Sequence, residues 1–468
     1  MNDLDNELSV KKKKFEFPHV FALLFFMIIL TALFTYFIPS GEYDREITED
    51  DRTVVIDGTY HEVEGTSIGF FDIFQIVHKG MVEGSSIIFF ILIIGGAFGI
   101  LNATKSIDTA LLKISTKAKG REAIIIPIVM AFFSLGGATF GMSEEIIPFI
   151  LIMIPLALRL GYDSIVGLAM VIVGVYSGYA GAFLNPFTIG VAQGIAELPL
   201  FSGLGYRILV WFIYTALGIS FVMLYARKIK KDPTKSSMYE IDKTYPLEET
   251  HESELSKKQL LILVIFGMTI VGLGFGVIVH GWYITEIAAL FLIMGVLSGI
   301  VYLMPINKIA ENFVDGCKDI IVAALSVGLA YGILVALQDS LTIDTVLYTV
   351  STWVNQLPQN FAGIGMYVTQ SIMNLLVPSG SGQAALTMPI MTPLADLTGV
   401  SRQTAVFAFQ LGDAISNTAL PTSGVVMGSL ALAGVSWNKW LRWLLPLLII
   451  QYALGAVLII IAQTIIWP

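Results

Sequence analysis

Residues 141–164 read GMSEEIIPFILIMIPLALRLGYDS, and residues 379–402 read SGSGQAALTMPIMTPLADLTGVSR. Each is followed by an apolar stretch and then by a polar, proline-bearing interruption, SGYAGAFLNPFT at 177–188 and SNTALPT at 416–422. Ser143 and Ser381, Pro155 and Pro393, Gly161 and Gly399, and Gly174 and Gly412 are each 238 residues apart. Upstream, Phe98-Gly-Ile-Leu recurs as Tyr331-Gly-Ile-Leu, and Ile107-Asp108-Thr109 as Ile343-Asp344-Thr345. A membrane unit with interrupted helices, written twice, predicts a secondary transporter whose site lies where the two copies meet.

Composition supports the membrane reading. The chain has 468 residues, 55% hydrophobic and 13% charged, against roughly a quarter charged in soluble globular proteins. Apolar runs such as 20–38, 260–279 and 444–466 are long enough to cross a hydrocarbon core of about 30 Å. They do not alternate polar with apolar, which excludes an outer-membrane barrel. The expected class is an all-α polytopic membrane protein in contact with lipid. The net charge of −9 resides mostly in two polar segments, 41–64 and 232–254, and implies no nucleic-acid partner. The single cysteine, Cys317, leaves no pairing within the chain and no cysteine-rich metal site. The first apolar run lacks a small-residue cleavage site and so does not read as a signal peptide. No Walker loop, HExxH or haem-ligation pattern occurs, so neither an ATP-driven pump nor an enzyme is expected.

Loop charge sets the expected topology. Lysines at 11–14 put the tail, 1–17, on the cytoplasmic side. The first membrane repeat spans 18–230 and the second 284–468; between them lie a cytoplasmic linker at 231–257 and a linking transmembrane helix at 258–283. Residues 123–135 and 146–158 are apolar arms of 13 residues, each reaching only about 20 Å at the helical rise. They predict a re-entrant hairpin, about 122–158, with its tip near mid-membrane. A second hairpin is expected at about 361–397, with its tip at Pro378–Gln383. Two transmembrane helices, about 164–197 and 402–435, are broken at their prolines, which remove a backbone donor and disfavour helix in the preceding residue. Nine spans follow, with the N-terminus inside and the C-terminus outside. The hairpins then enter from opposite faces, and the repeats are inverted.

The tips and breaks carry the candidate site. Glu144 and Glu145 are carboxylates expected at membrane depth, where ionised groups are costly and functional. They suit a cationic substrate group, a coupling Na⁺, or a shared proton. Asp413 precedes the second break and reads as an ion- or proton-coupling carboxylate or as a helix cap. Asn185, Thr188, Ser416, Asn417, Thr418, Thr422 and Ser423 supply amide and hydroxyl groups at the breaks. Ser143, Ser379, Gly380, Ser381, Gly382 and Gln383 supply side-chain or bare backbone groups at the tips. Half-helix N-termini suit a substrate carboxylate, and unwound carbonyls suit Na⁺; any Na⁺ is expected near Asn185 and Asn417. No cofactor beyond a coupling Na⁺ or H⁺ is expected. His280 with Gly281-Trp282-Tyr283 reads as an interfacial aromatic anchor, and Met142, Met388 and Met391 as packing residues.

With GMSEE, LNPFT, PSGSGQA and SNTALPTSG in this order, the chain resembles carriers of the DcuC/YfcC type, within a wider ion-transporter superfamily. The resemblance runs from about residue 15 to 467. It implies a scaffold domain, a transport domain bearing both hairpins, elevator-type movement, a homodimer and a bacterial cytoplasmic membrane. Ser416-Asn417-Thr418 matches the superfamily's Ser-Asn-Thr signature, whereas the first copy departs from it at Leu184-Asn185-Pro186-Phe187-Thr188. The resemblance leaves two substrate classes, C4-dicarboxylates and basic amino acids in arginine/ornithine-type exchange. No Lys or Arg occurs near either tip in sequence, and two glutamates repel a dianion. The reading therefore leans to a cationic or zwitterionic amino acid, with Na⁺- or H⁺-coupled dicarboxylate transport as the alternative. An ion channel would need a continuous polar pore, which broken helices in an inverted repeat do not favour.

Overall fold

Glycine, proline and short polar runs cut the apolar sequence into helices where the unsatisfied backbone groups can be capped. The computed structural model describes residues 20–467, apart from 48–52, 66, 118, 140 and 246–254. The expected cytoplasmic tail and the 246–254 part of the linker lie outside the described residues. In chain order the first half comprises α1 (Val20–Phe34), strands β1 (Gly41–Glu42), β2 (Arg45–Ile47), β3 (Thr53–Val55) and β4 (His61–Glu62), then α2 (Phe70–Glu83), α3 (Ser85–Ala103), α4 (Ser106–Lys117), α5 (Ile125–Thr139), α6 (Ile147–Arg159) and α7 (Ser164–Gly181). A π turn at Pro186–Gly190, α8 (Val191–Ile195) and α9 (Leu204–Lys231) complete it. A short α10 (Tyr239–Asp242) and α11 (Lys257–His280) lead to the second half: α12 (Ile284–Tyr302), α13 (Ile306–Asp339), α14 (Ile343–Asn355), α15 (Gln359–Leu376), α16 (Gly380–Thr398), α17 (Arg402–Ser416), α18 (Gly424–Leu432) and α19 (Trp437–Ile461).

The same order occurs twice, and matched positions do matched work. Gly161 and Gly399 end α6 and α16 at φ +79° and +71°, a conformation that glycine adopts without steric cost. Asp163 then caps α7 through Val166 N at 2.9 Å, and Ser401 caps α17 through Thr404 N at 3.3 Å. After α3, Thr104 bonds the Leu101 carbonyl and Ser106; after α13, Ser340 bonds the Ala336 carbonyl and Thr342. The residue between each hydroxyl pair, Lys105 or Leu341, is left-handed.

Among the described residues, eight helices are long and apolar enough to cross a membrane. They are not the nine expected. The α5 arm with its leading turn, Glu122–Thr139, meets the length and is longer than the 13 residues expected, whereas the break leaves α17 and α18 too short to meet it singly. The described part of α1 ends at Phe34, short of the expected 39. Two further departures concern missed structure. α4 and α14 are short polar-apolar helices where connections were expected, and α13 is a single helix of 34 residues rather than a span of 319–337. The acidic segment 41–64 pairs β1 with β4 and β2 with β3, and docks on the α13–α14 turn. There Arg45 pairs with Asp344 at 2.8 Å and Tyr60 bonds Thr345 at 3.0 Å.

Each hairpin lies beside a broken helix. Close backbone approaches of Gly174 to Met130 and Gly178 to Ser134 set α5 parallel to α7, and Gly412 against Gln370 with Ser416 against Asn374 does the same for α15 and α17. Glycine is required there because a Cβ on Gly178 would stand 1.9 Å from the Ser134 carbonyl oxygen. α7 is buried along its whole length, as is α17 from Thr404 onward, and at the breaks Asn185, Asn417 and Thr418 are buried, so the polar groups there face protein or the cavity rather than lipid. The two hairpin bases flank opposite ends of α9. At its C-terminal end, Lys230 bonds the Leu160 carbonyl in the α6–α7 turn. At its N-terminal end, Ser202 and Arg207 meet Gln403 at the start of α17.

Candidate functional site

The two tips and two breaks converge on one cavity of about 900 Å³, its open mouth included. Tip 1 contributes Gly141, Ser143, Glu144 and Glu145; tip 2 contributes Pro378, Ser379, Gly380 and Ser381. The first break contributes Phe187 and Thr188, the second Asp413, Asn417, Thr422, Ser423, Gly424 and Val425. Eleven of the sixteen residues expected from sequence therefore meet in one place.

Local bonding explains the posture of each group. Glu145 is buried, and its Oε2 accepts the Ser143 N–H at 2.8 Å, folding the tip back on itself. Glu144 precedes it at the start of a single 3₁₀ turn, and both line the cavity. Gly141, at φ +69°, lets the chain turn where a Cβ would strike Asn185 at 2.6 Å. Asp413 is fully buried: Oδ1 accepts the Asn417 amide at 2.9 Å, while Oδ2 has no protein partner. Thr188 and Thr422 also keep buried, unpartnered hydroxyls. Buried polar groups are normally paired; these three oxygens share the wall of one cavity.

Helix ends add donors. Ser379 caps α16 and Ser423 caps α18, and both first turns line the cavity with Gly380, Ser381, Gly424 and Val425. First-turn N–H groups have no intrahelical acceptor and carry partial positive charge.

The other five expected residues do not line the cavity; they hold the breaks and the second hairpin in shape. Asn185, fully buried, accepts from Phe187 N and Thr188 N and donates to the Gly137 carbonyl. Gln383 donates to the Gln370 carbonyl and side chain at 2.8 and 2.7 Å. Ser416 bonds the Gly412 carbonyl and accepts from Asn374 at 2.7 Å; Thr418 bonds the Ile415 carbonyl at 2.6 Å. Gly382 offers its N–H to Ser379 at 3.3 Å.

Sequence reasoning missed the rings. Tyr176, Tyr179, Phe187, Tyr283 and Tyr331 line the cavity. Tyr283, expected with His280 in an interfacial aromatic anchor, is exposed and also reaches the site: its ring stands 5.1 Å from that of Phe187, centroid to centroid, at the first break. Within apolar helices a tyrosine facing a cavity and one packed in a core leave the same trace, so only the pairing of Tyr331 with Phe98 in the repeat could have drawn notice. The remaining wall is Ile87, Val327, Ala330 and Leu334 with Tyr283 and Tyr331. No lysine or arginine lines the cavity, which holds three carboxylates.

Among the described residues, eight helices long and apolar enough to cross a membrane and an open cavity that carries acids at two helix breaks fit a multi-pass membrane protein. Residues 17–464 match the profile of the DcuC family, described as the C4-dicarboxylate anaerobic carrier family. The Escherichia coli (strain K12) protein YfcC, named provisionally as a basic amino acid antiporter, is 36% identical across 97% of this chain and 98% of its own. An uncharacterised Haemophilus influenzae protein is 29% identical over the same shares. The chain belongs to the DcuC/YfcC family of membrane transporters. Two solved transporters also align: Alcanivorax borkumensis YdaH at 14% identity and a TM-score of 0.43, over 96% of this chain and 99% of its own, and Neisseria gonorrhoeae MtrF at 16% and 0.44, over 96% of each.

Proposed function

We propose that this transporter carries a basic amino acid, in exchange of the arginine/ornithine type. The observation that carries the reading is the cavity's charge: Glu144, Glu145 and Asp413 line it and no cationic side chain does. A dicarboxylate would meet three acidic side chains and no cation, whereas a cationic side chain finds charge-assisted partners. The α-carboxylate suits the first turns of α16 and α18, whose free N–H groups face the same space. Asp413, with its unpartnered oxygen lining the same cavity as the Thr188 and Thr422 hydroxyls, suits a proton or Na⁺. The name of the E. coli relative is in keeping with this reading.

The reading extends to elevator-type movement of the polar tip-and-break wall along the largely apolar wall of α13 and its neighbours. Hairpin bases at opposite ends of α9 support inverted repeats, each hairpin re-entrant. The basic run ending α9, Lys228, Lys230 and Lys231, supports a cytoplasmic location for that end, and hence an N-terminus inside and C-terminus outside in the bacterial cytoplasmic membrane. The family resemblance supports a homodimer. A second reading, Na⁺-coupled C4-dicarboxylate transport, draws on the family description and on the presence of two helix N-termini.

A thermal-shift screen of the purified protein separates them, because a ligand that binds only the folded state raises apparent stability. Arginine and ornithine are expected to stabilise it in either Na⁺ or K⁺. Stabilisation by succinate or fumarate only in Na⁺, with no response to basic amino acids, would overturn the first reading in favour of the second.

A further inference from the structure

The element joining the two repeats contributes to a site that is otherwise built from the repeats themselves. Tyr283 lies in the turn between α11 and α12, with extended backbone at φ −132° and ψ −157°. Its amide is capped by Glu286 at 3.1 Å, which fixes where the chain enters α12. From there the ring reaches the cavity and packs on Phe187 in a tilted contact, 5.1 Å between centroids at an interplanar angle of 36°, which leaves the outer ring faces to the cavity side. Tyr283 is 45% exposed and lines the same open cavity as Glu144; a ring and a carboxylate on one cavity wall offer a cation two attractions at once, charge from the acid and quadrupole from the ring face. A guanidinium is planar and weakly hydrated and stacks on aromatic faces, whereas a primary ammonium is a compact, strongly hydrated point charge.

We infer that Tyr283 is a specificity-determining residue, which with Phe187 receives the flat face of a guanidinium held by Glu144 and so favours arginine over ornithine. The inference rests on the basic amino acid reading above. It assigns selection between two cationic substrates to a residue outside both repeats, one with no counterpart in the repeat alignment.

The test is arginine and ornithine binding to the full-length carrier in detergent, with counterflow in liposomes, for wild type, Tyr283→Phe, Tyr283→Trp and Tyr283→Leu. The Phe and Trp variants are expected to keep arginine affinity within about two-fold of wild type. The Leu variant is expected to lose about ten-fold for arginine, the scale of a partly desolvated cation–π contact, and much less for ornithine, with KM rising while kcat holds. If the Leu variant does not fold, stepwise fluorination of a phenylalanine introduced at this position takes its place: arginine affinity should fall with each fluorine. Equal loss for both substrates, a flat fluorine series, or wild-type selectivity in Tyr283→Leu would overturn the assignment of Tyr283 alone. Failure of wild type to bind either basic amino acid would overturn the substrate reading and this inference with it.

Discussion

Gln410 in α17 donates its side-chain amide to the Tyr179 carbonyl in α7 at 2.8 Å, a hydrogen bond that joins the two broken helices across the repeats. The same tyrosine donates its hydroxyl to the Gly141 carbonyl at 2.6 Å, so tip 1 is tied through Tyr179 to the second repeat. Both bonds are buried, and a buried carbonyl stripped of its donor costs about 1–3 kcal/mol. Gln410→Leu removes the donor at similar volume. It is expected to lower folding stability by that amount and to slow transport, because the tip loses its register with the opposite repeat. Chemical denaturation in detergent and liposome uptake, run on the same preparation, check it; unchanged stability would mean that the contact does not couple the halves.

Gly380 leads α16 over the first break. A Cβ there would stand 2.5 Å from Thr188 Cγ2 and 3.5 Å from Asp413 Oδ2. Threonine is stiff at χ1, so it cannot simply swing aside. Gly380→Ala is expected to cost about 1–3 kcal/mol through overpacking and to reduce transport strongly. Thr188→Ser removes the obstructing methyl while keeping the hydroxyl, so the double variant should recover most of both losses. Additivity of the two substitutions in a double-mutant cycle would show that the tip does not rest on Thr188.

Glu144 and Glu145 are neighbours with different tasks. Glu145 is engaged by the Ser143 N–H and shapes the tip, while Glu144 shares the cavity with the rings of Tyr283 and Tyr331. Glu144→Gln is expected to raise KM for a basic amino acid by roughly 10–100-fold, the worth of a hydrogen bond to a charged group. Glu145→Gln keeps an acceptor for Ser143, so its effect should be smaller and appear partly as lowered thermal stability. Uptake kinetics with melting curves for both variants separate the roles. Wild-type KM in Glu144→Gln would remove that residue from the site.

The parts of the site that were legible in sequence are those where chemistry contradicts its surroundings. Glu144, Asp413, Pro186 and Pro421 stand out because an acid or a proline in an apolar run has no packing explanation. The second copy repeats the spacing, and matched caps at Asp163 and Ser401 express it in the structure. What stayed hidden obeys no such contrast. α4 is short and half polar, so no apolar run announces it. The first turns of α13 carry Lys308, Glu311, Asp315 and Lys318 and read as loop, although lysine–acid pairs at i,i+3 stabilise them as helix. Asn185 and Gln383 look like ligands by type, yet capping and hairpin contacts take up donors or acceptors on each, and only coordinates distinguish an amide turned inward from one turned to the cavity.

On the proposed reading Asp413 serves the coupling ion. Its Oδ1 is taken by Asn417 and its Oδ2 is not, so replacing the carboxylate with an amide of equal size changes charge more than packing. Asp413→Asn is expected to fold, to bind a basic amino acid within a few-fold of wild type, and to lose the dependence of transport on the coupling cation. For Na⁺, the thermal stabilisation it gives wild type should vanish in the variant. For H⁺, uptake by wild type should respond to an imposed pH gradient and uptake by the variant should not. A variant that keeps the full cation response would move the coupling site away from Asp413. One that loses substrate binding altogether would make Asp413, rather than Glu144, the main anchor of the substrate's positive charge.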